Sequence, residues 1–122
     1  MRSPSAVVLS TVALAVLPVI AGAGSAAAVT PAKPKACETY DRFLQQLTVE
    51  RVSCPAARQV IYAWAKSSRC IPAGDGFIQD RAKACTVRRY ACTPRKGEGG
   101  VRVTCRAQTD STRVVRFFDS QG

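Results

Sequence analysis

The clearest hydrophobic pattern in the chain lies between residues 55 and 67. Apolar side chains recur there at positions i, i+3, i+4 and i+7, namely Ala57, Val60, Ile61 and Trp64. This spacing is typical of one face of an α-helix, and Pro55, which follows Ser53-Cys54, suits the first helical position. The pattern predicts an amphipathic helix whose apolar face, anchored by Trp64, packs on the core. The alternative is that Trp64 stacks on a ligand.

A second helical pattern precedes it, between residues 37 and 47. The same spacing recurs at Tyr40, Phe43, Leu44 and Leu47. It favours a helix there, with acidic residues 38 and 41 in its first turn. Residues 48–53 have no clear period, and a short strand remains open for them. After the main helix, the Pro- and Gly-containing residues 71–76 indicate a turn.

From residue 87 onward the pattern becomes that of extended strands. Gly97 to Gly100 indicates a hairpin, and a two-residue loop at residues 98–99 would place Cys92 opposite Cys105. A turn at residues 108–112 then leads to a third strand. The side chains expected on the core face of this meander are Tyr90, Cys92, Val101, Val103, Cys105, Val115 and Phe117. Helix and meander together predict an α+β fold, with one or two helices packed on a small antiparallel sheet.

The first 28 residues have the three parts of a secretory signal peptide. Arg2 supplies a positive charge, an apolar run covers residues 6–20, and Ala26-x-Ala28 has the spacing that signal peptidase cleaves. The run is shorter than the roughly 20 residues of a membrane span, and Pro18 breaks it. We expect cleavage after Ala28, or alternatively after Ala23. The organisation predicted is a signal peptide (1–28), a flexible leader (29–36) and one small domain (37–122), exported without a remaining membrane span.

Cysteine and charge narrow the class further. Six cysteines follow the signal, an even number in an oxidising compartment, which predicts three disulfides. They are Cys37, Cys54, Cys70, Cys85, Cys92 and Cys105. Their pairing remains open. The chain has no histidine and no C-x-x-C spacing, so no metal site is expected. The formal net charge of +10 favours an anionic partner, although solubility alone is the simpler explanation.

Several short motifs resemble a loose group of small secreted actinobacterial proteins of unknown function. The matching pieces are Val52-Ser53-Cys54 with Ala57 and the helix from Val60 to Trp64, then Gly76-Phe77, then Val103-Thr104-Cys105-Arg106 and Val115-Arg116-Phe117. Such proteins often have a cysteine two residues after the Gly-aromatic pair, where this chain has Gln79. The resemblance implies a small secreted cysteine-containing domain and no particular activity.

Catalytic chemistry has few candidates. Without histidine, Ser-His and Cys-His nucleophile systems are excluded. Paired carboxylates remain, and the candidates are Glu38, Asp41, Glu50, Asp75 and Asp80. None of them lies in a sequence context typical of a general acid or base, so we expect a protein that is not an enzyme and uses no cofactor.

The most specific functional prediction is a binding face. The outer side of the meander would carry arginines around Thr93 and Thr104, and arginine suits phosphate and carboxylate. The candidate binding residues are Arg89, Arg95, Arg102, Arg106 and Arg116. We expect a monomer that binds an anionic extracellular polymer or an acidic protein surface. The simpler alternative is a solvated sheet face. Nucleic acid is disfavoured because no arginine–aromatic stacking platform is evident.

An alternative function is a secreted effector that acts on a protein, such as a protease inhibitor or a small toxin. The loop of residues 70–77 would be its contact element, because disulfides can hold an exposed loop rigid. A membrane-active toxin would need an exposed amphipathic basic helix, whereas the helix after Pro55 is expected to face the core.

Overall fold

One antiparallel sheet of six strands, with two helices, forms the fold. The structure is a computed structural model that describes residues 33–120; the predicted signal peptide and the start of the predicted leader lie outside the described residues. In chain order the elements are β1 (Lys35–Ala36), β2 (Leu44–Glu50), α1 (Cys54–Lys66), α2 (Ile78–Arg81), β3 (Cys85–Val87), β4 (Tyr90–Gly97), β5 (Gly100–Ala107) and β6 (Val114–Asp119). The strand order is β1-β2-β6-β5-β4-β3. The α+β class is therefore confirmed, with three strands more than the predicted meander.

Helix α1 matches its prediction to within one residue at each end. Its N-cap is Ser53, whose hydroxyl oxygen accepts a hydrogen bond from the Ala56 N–H at 3.3 Å. Such a cap satisfies one of the N–H groups that the first turn leaves free. The predicted apolar stripe is buried, and Trp64 is fully buried in edge-to-face contact with Phe117 of β6, at a centroid distance of 5.3 Å. Trp64 is therefore a core residue, and its interpretation as a ligand-stacking side chain is wrong.

The helix predicted over residues 37–47 is wrong. This part of the chain enters β2, and the register of β2 against β6 shifts between Gln45 and Thr48. Gln46 has a φ of +56° at that point. Such a bulge adds one residue to the strand, so Leu44 and Leu47 both face the core although they are three positions apart. The bulge thus reproduces a helical spacing within a strand.

The C-terminal meander has the predicted register. Cys92 is the partner of Cys105, and Gly97 is the partner of Gly100, which leaves Glu98 and Gly99 as the two-residue loop. All seven predicted core-facing side chains are buried. Gly100 is required where β5 passes β6, because a Cβ there would lie 2.1 Å from the Asp119 carbonyl oxygen.

Three disulfides staple this fold, as expected. They are Cys37–Cys54, Cys70–Cys85 and Cys92–Cys105. The first ties the segment before β2 to the start of α1, the second ties the loop after α1 to β3, and the third joins β4 to β5. Each closes a short loop, and disulfides of this kind typically contribute about 2–4 kcal/mol to the stability of a small domain.

The sheet begins inside the segment predicted as a leader. Lys35 and Ala36 form β1 and pair with Val49 and Thr48 of β2. No helix among residues 33–120 is long and apolar enough to cross a membrane.

Candidate functional site

The two faces of the sheet differ in what covers them. Both helices pack on one face, where the buried side chains form one cluster. The other face forms a groove of about 690 Å³ along β2, β4, β5 and β6. The polar side chains that line the groove are Gln46, Thr48, Thr93, Arg95, Arg102, Thr104, Arg106 and Arg116. None of the described acidic side chains lines it. We call this surface the arginine groove, after Arg95, Arg102, Arg106 and Arg116.

Strand alternation and register explain why these arginines meet. Successive side chains of a strand point to opposite faces, and directly paired residues on neighbouring strands point to the same face. Arg95 pairs with Arg102, which pairs with Phe118 of β6. In the next row along the sheet, Thr93, Thr104, Arg116 and Thr48 follow one another across four strands. Two rows of partners thus bring three of the four arginines together, and Arg106 follows two residues further along β5 than Thr104.

Four of the five predicted binding residues line the groove, and Arg89 does not. Arg88 and Arg89 form the turn between β3 and β4, with φ values of +48° and +65°. The prediction extended the alternation of β4 back to residue 89, but the strand begins at Tyr90. A turn at this point takes the Arg89 side chain out of the strand pattern.

Contacts within the groove hold the Arg102 guanidinium in place. Its Cζ lies 5.5 Å from the centre of the Phe118 ring, and its Nη1 donates a hydrogen bond to Gln46 Oε1 at 3.3 Å. Gln46 is absent from the predicted site because only the bulge in β2 brings its side chain here. The only sign of the bulge in the sequence is the three-residue spacing of Leu44 and Leu47, which on its own favours a helix.

The other arginines differ in how far their charges are balanced. Arg116 forms an ion pair with Glu50, and the Arg106 Nη1 reaches the Ser111 carbonyl oxygen at 3.5 Å. Within residues 33–120, Arg95 makes no hydrogen bond or ion pair through its side chain. The groove therefore presents three cations, those of Arg95, Arg102 and Arg106, without a bound carboxylate.

Arginine–aromatic pairs are more common than the sequence indicated. Besides Arg102 and Phe118, Arg58 lies over the exposed Tyr40 ring at 5.1 Å, and Arg42 lies over Phe43 at 4.8 Å. These pairs are contacts within the protein, and the disfavouring of nucleic acid stays a prediction. These two further pairs lie outside the lining of the arginine groove.

The candidate carboxylates lie in separate surroundings. Glu50 binds Arg116, and Asp80 lies 3.2 Å from the Lys96 Nζ. Asp41 accepts a hydrogen bond from the Phe43 N–H at 2.7 Å, which is local turn geometry. Glu38 and Asp75 are exposed. These contacts describe turns and surface ion pairs rather than two carboxylates facing a common cavity.

The loop of residues 70–77 is braced from the side. Arg81 donates hydrogen bonds to the carbonyl oxygens of Pro72 and Gly76, at 3.0 and 3.2 Å. The Cys70–Cys85 disulfide closes the base of the loop. At its end, the Phe77 ring is 63% exposed. The loop is therefore held in one shape with an aromatic side chain in solvent.

No protein-family model, curated protein or solved structure matches this chain. The class that the fold and the groove define is a three-disulfide α+β protein with a cationic outer sheet face.

Proposed function

We propose that this chain is an exported, non-catalytic binding module, and that its arginine groove docks an anionic extracellular partner. The partner is a cell-wall polymer or an acidic protein surface. The observation that supports this most directly is the direct pairing of Arg95 with Arg102 on a concave face that no described acidic side chain lines. Three disulfides are typical of proteins in an oxidising compartment, which supports an extracellular location.

The pairing of two arginines is more specific than a high net charge. Like charges directly opposite each other on neighbouring strands destabilise a sheet by about 0.2–1 kcal/mol. A face that only kept the protein soluble would not need Arg95 and Arg102 to be paired. A bound anion would remove the repulsion and would gain charge-assisted hydrogen bonds from both guanidinium groups.

The test is a salt titration of binding with a matched pair of double variants. Arg95→Gln with Arg102→Gln removes two charges from the groove. Arg69→Gln with Lys83→Gln removes two charges from exposed positions outside it. The targets are purified cell wall, anionic vesicles and duplex DNA, so that each class of polyanion is compared under one set of conditions.

The groove double variant should bind its target more weakly than the control double variant and should melt at the same temperature as the parent or slightly higher. Binding by the parent should weaken as salt rises, because the groove acts through charge. Equal binding by the two double variants would show that only net charge matters and would contradict the proposal.

A second function is supported by the braced loop of residues 70–77. An exposed aromatic side chain on a rigid loop is a suitable contact for a partner protein, because little conformational entropy is lost on binding. Under this proposal the chain inhibits a protease or acts on another protein through Phe77. Inhibition of serine proteases at equimolar ratio, lost in Phe77→Ala, would support it; an inactive parent chain would argue against it.

A further inference from the structure

We propose that Arg95 and Arg102 together form a subsite for a doubly charged phosphate monoester. This inference rests on the proposed function of the groove and names the chemistry that the groove recognises best. It would make the preferred ligand an anionic polymer or surface that presents a phosphate end group, rather than one that carries only carboxylates or phosphodiesters.

The register places two arginines at directly opposite positions on neighbouring strands of the groove. Arg95 and Arg102 are direct partners on β4 and β5, and neighbouring strands lie about 4.8 Å apart. Arg102 is held by the Phe118 ring and by Gln46, whereas the Arg95 side chain has no partner among the described residues. The Arg102 guanidinium is thus held on the β6 side of its strand, and the long Arg95 side chain can extend across β5 to reach an anion bound beside it.

The remaining arginines belong to other positions in the groove. Arg106 is four residues from Arg102 on the same strand, which is roughly 14 Å. Arg116 is bound to Glu50. The net charge of the subsite is therefore +2, because the nearby Glu50 carboxylate is paired with Arg116 and not with Arg95 or Arg102.

Charge and shape then select the ligand. Arginine stays protonated at every relevant pH, so the subsite carries two full charges. A carboxylate or a phosphodiester brings a single negative charge and leaves one of the two positive charges of the subsite uncompensated. A phosphate monoester brings about −1.5 to −2 charges and three strong acceptor oxygens near neutral pH. The adjacent row contributes the hydroxyl groups of Thr93 and Thr104, which suit a third oxygen.

This preference predicts that affinity depends on pH in a way that can be assigned to the ligand, because the chain contains no histidine that would titrate in the same range. The charged side chains near the subsite within the groove are Arg106, Arg116 and, bound to Arg116, Glu50. No side chain type with an ordinary pKa near 6 is present. The second ionisation of a phosphate monoester occurs at about pH 6. A change of affinity between pH 5 and pH 7 thus reports the ionisation of the ligand.

The experiment is a titration of the oxidised protein with three soluble probes, followed by the amide chemical shifts of residues 95 and 102. The probes are glucose 6-phosphate as the monoester, dimethyl phosphate as the diester, and inorganic sulfate as an anion that keeps two charges throughout this pH range. From pH 7 to pH 5 we expect the apparent affinity for the monoester to fall about tenfold, following its doubly charged fraction. Sulfate affinity should stay constant, and the diester should bind weakly at both pH values.

Arg95→Gln should remove the preference for the monoester over the diester, whereas Arg69→Gln should keep it. Equal affinity for monoester and diester, a pH-independent monoester affinity, or no binding of the monoester would each overturn the subsite. If any of these occurs while the groove double variant still loses binding to a polyanion, the subsite fails and the proposed function stands. If the double variant also binds normally, both fail.

Two further arms identify where the phosphate group comes from. Vesicles that contain phosphatidic acid present the monoester on a lipid surface, and vesicles that contain phosphatidylglycerol present a diester as the matched control. A soluble cell-wall fragment with a terminal phosphate, before and after phosphatase treatment, presents it on a polymer. Loss of binding after phosphatase treatment would place the ligand on the polymer, in agreement with the proposed function. Equal binding by both vesicle types and by both forms of the fragment would contradict the subsite.

Discussion

Replacing Glu50 by glutamine changes the charge of the arginine groove without altering any arginine. Among residues 33–120, Glu50 is the carboxylate that forms an ion pair with a groove arginine, and the side chains of this pair are 19% exposed for Glu50 and 41% exposed for Arg116. Glutamine has nearly the same shape and keeps an oxygen that can accept a hydrogen bond from Arg116. The substitution therefore removes one charge and releases the Arg116 cation to the groove.

The structure allows both consequences of Glu50→Gln to be estimated. Exposed ion pairs contribute about 0.2–1 kcal/mol, and this pair is partly buried, so we expect the free energy of unfolding to fall by about 1 kcal/mol. A domain of this size would lose about 4–8 °C in melting temperature. Binding should change in the opposite direction, because a fourth uncompensated arginine can contact the polyanion.

The assay is the salt dependence of binding to a short single-stranded oligonucleotide, used as a model linear polyanion that carries one phosphodiester charge per link. Each additional phosphate contact steepens the slope of log K against log salt by about 0.7. We expect this increase for Glu50→Gln, together with tighter binding at low salt. Asp80→Asn is the control, since Asp80 pairs with the exposed Lys96 outside the groove and its loss changes net charge equally. An unchanged slope, or the same change in both variants, would refute the reasoning.

Three further predictions test other parts of the structure. A tryptic map of the oxidised protein should contain three pairs of peptides, linked by the disulfides Cys37–Cys54, Cys70–Cys85 and Cys92–Cys105, and reduction should separate each pair. Any other pairing would contradict the fold. Polyanion binding should leave the emission maximum of Trp64 unchanged, because this only tryptophan is fully buried on the opposite face; a shift would contradict that placement. Hydrogen bonds from the Thr112 side chain and backbone lower the pKa of Asp110 from 3.8. Because the folded-state pKa is the lower one, the stabilisation exists above pH 3.8 and is lost as pH falls through the folded value. Asp110→Asn should therefore melt below the parent at pH 7, with a difference that disappears in acid.

The sequence was sufficient for the elements whose pattern is set by local chemistry. Helix α1 has a serine cap, a proline in its first turn and an unbroken apolar stripe. The hairpin of β4 and β5 has a glycine-rich loop, and its register follows once Glu98 and Gly99 are taken as the loop residues. In both cases the turn or capping residues and the side-chain periodicity predict the same element, and that element is also the one that the tertiary fold requires.

Strands β1, β2 and β3 could not be predicted with the same rules. β1 and β3 have two and three residues, too few for a period to show. They form because a neighbouring strand offers its hydrogen-bonding edge. A disulfide also ties each of them to the region of helix α1, because Cys37 after β1 is bonded to Cys54 and Cys85 in β3 is bonded to Cys70. The disulfide pairing of the six cysteines also could not be predicted, because the connectivity depends on the finished fold.

The most informative error concerns the bulge at Gln46. An extra residue in β2 gave the helical spacing of Leu44 and Leu47, and the same extra residue brings the Gln46 amide to Arg102. Bulges often lie beside functional sites because they redirect a side chain that regular alternation would place elsewhere. Predictions from local sequence patterns tend to fail at functional sites, where a residue is placed for binding or catalysis rather than for stability. Gln46, which lies at the bulge that gives β2 its helical spacing, is therefore also the residue that binds the Arg102 guanidinium, and this coincidence favours the proposed binding role of the arginine groove.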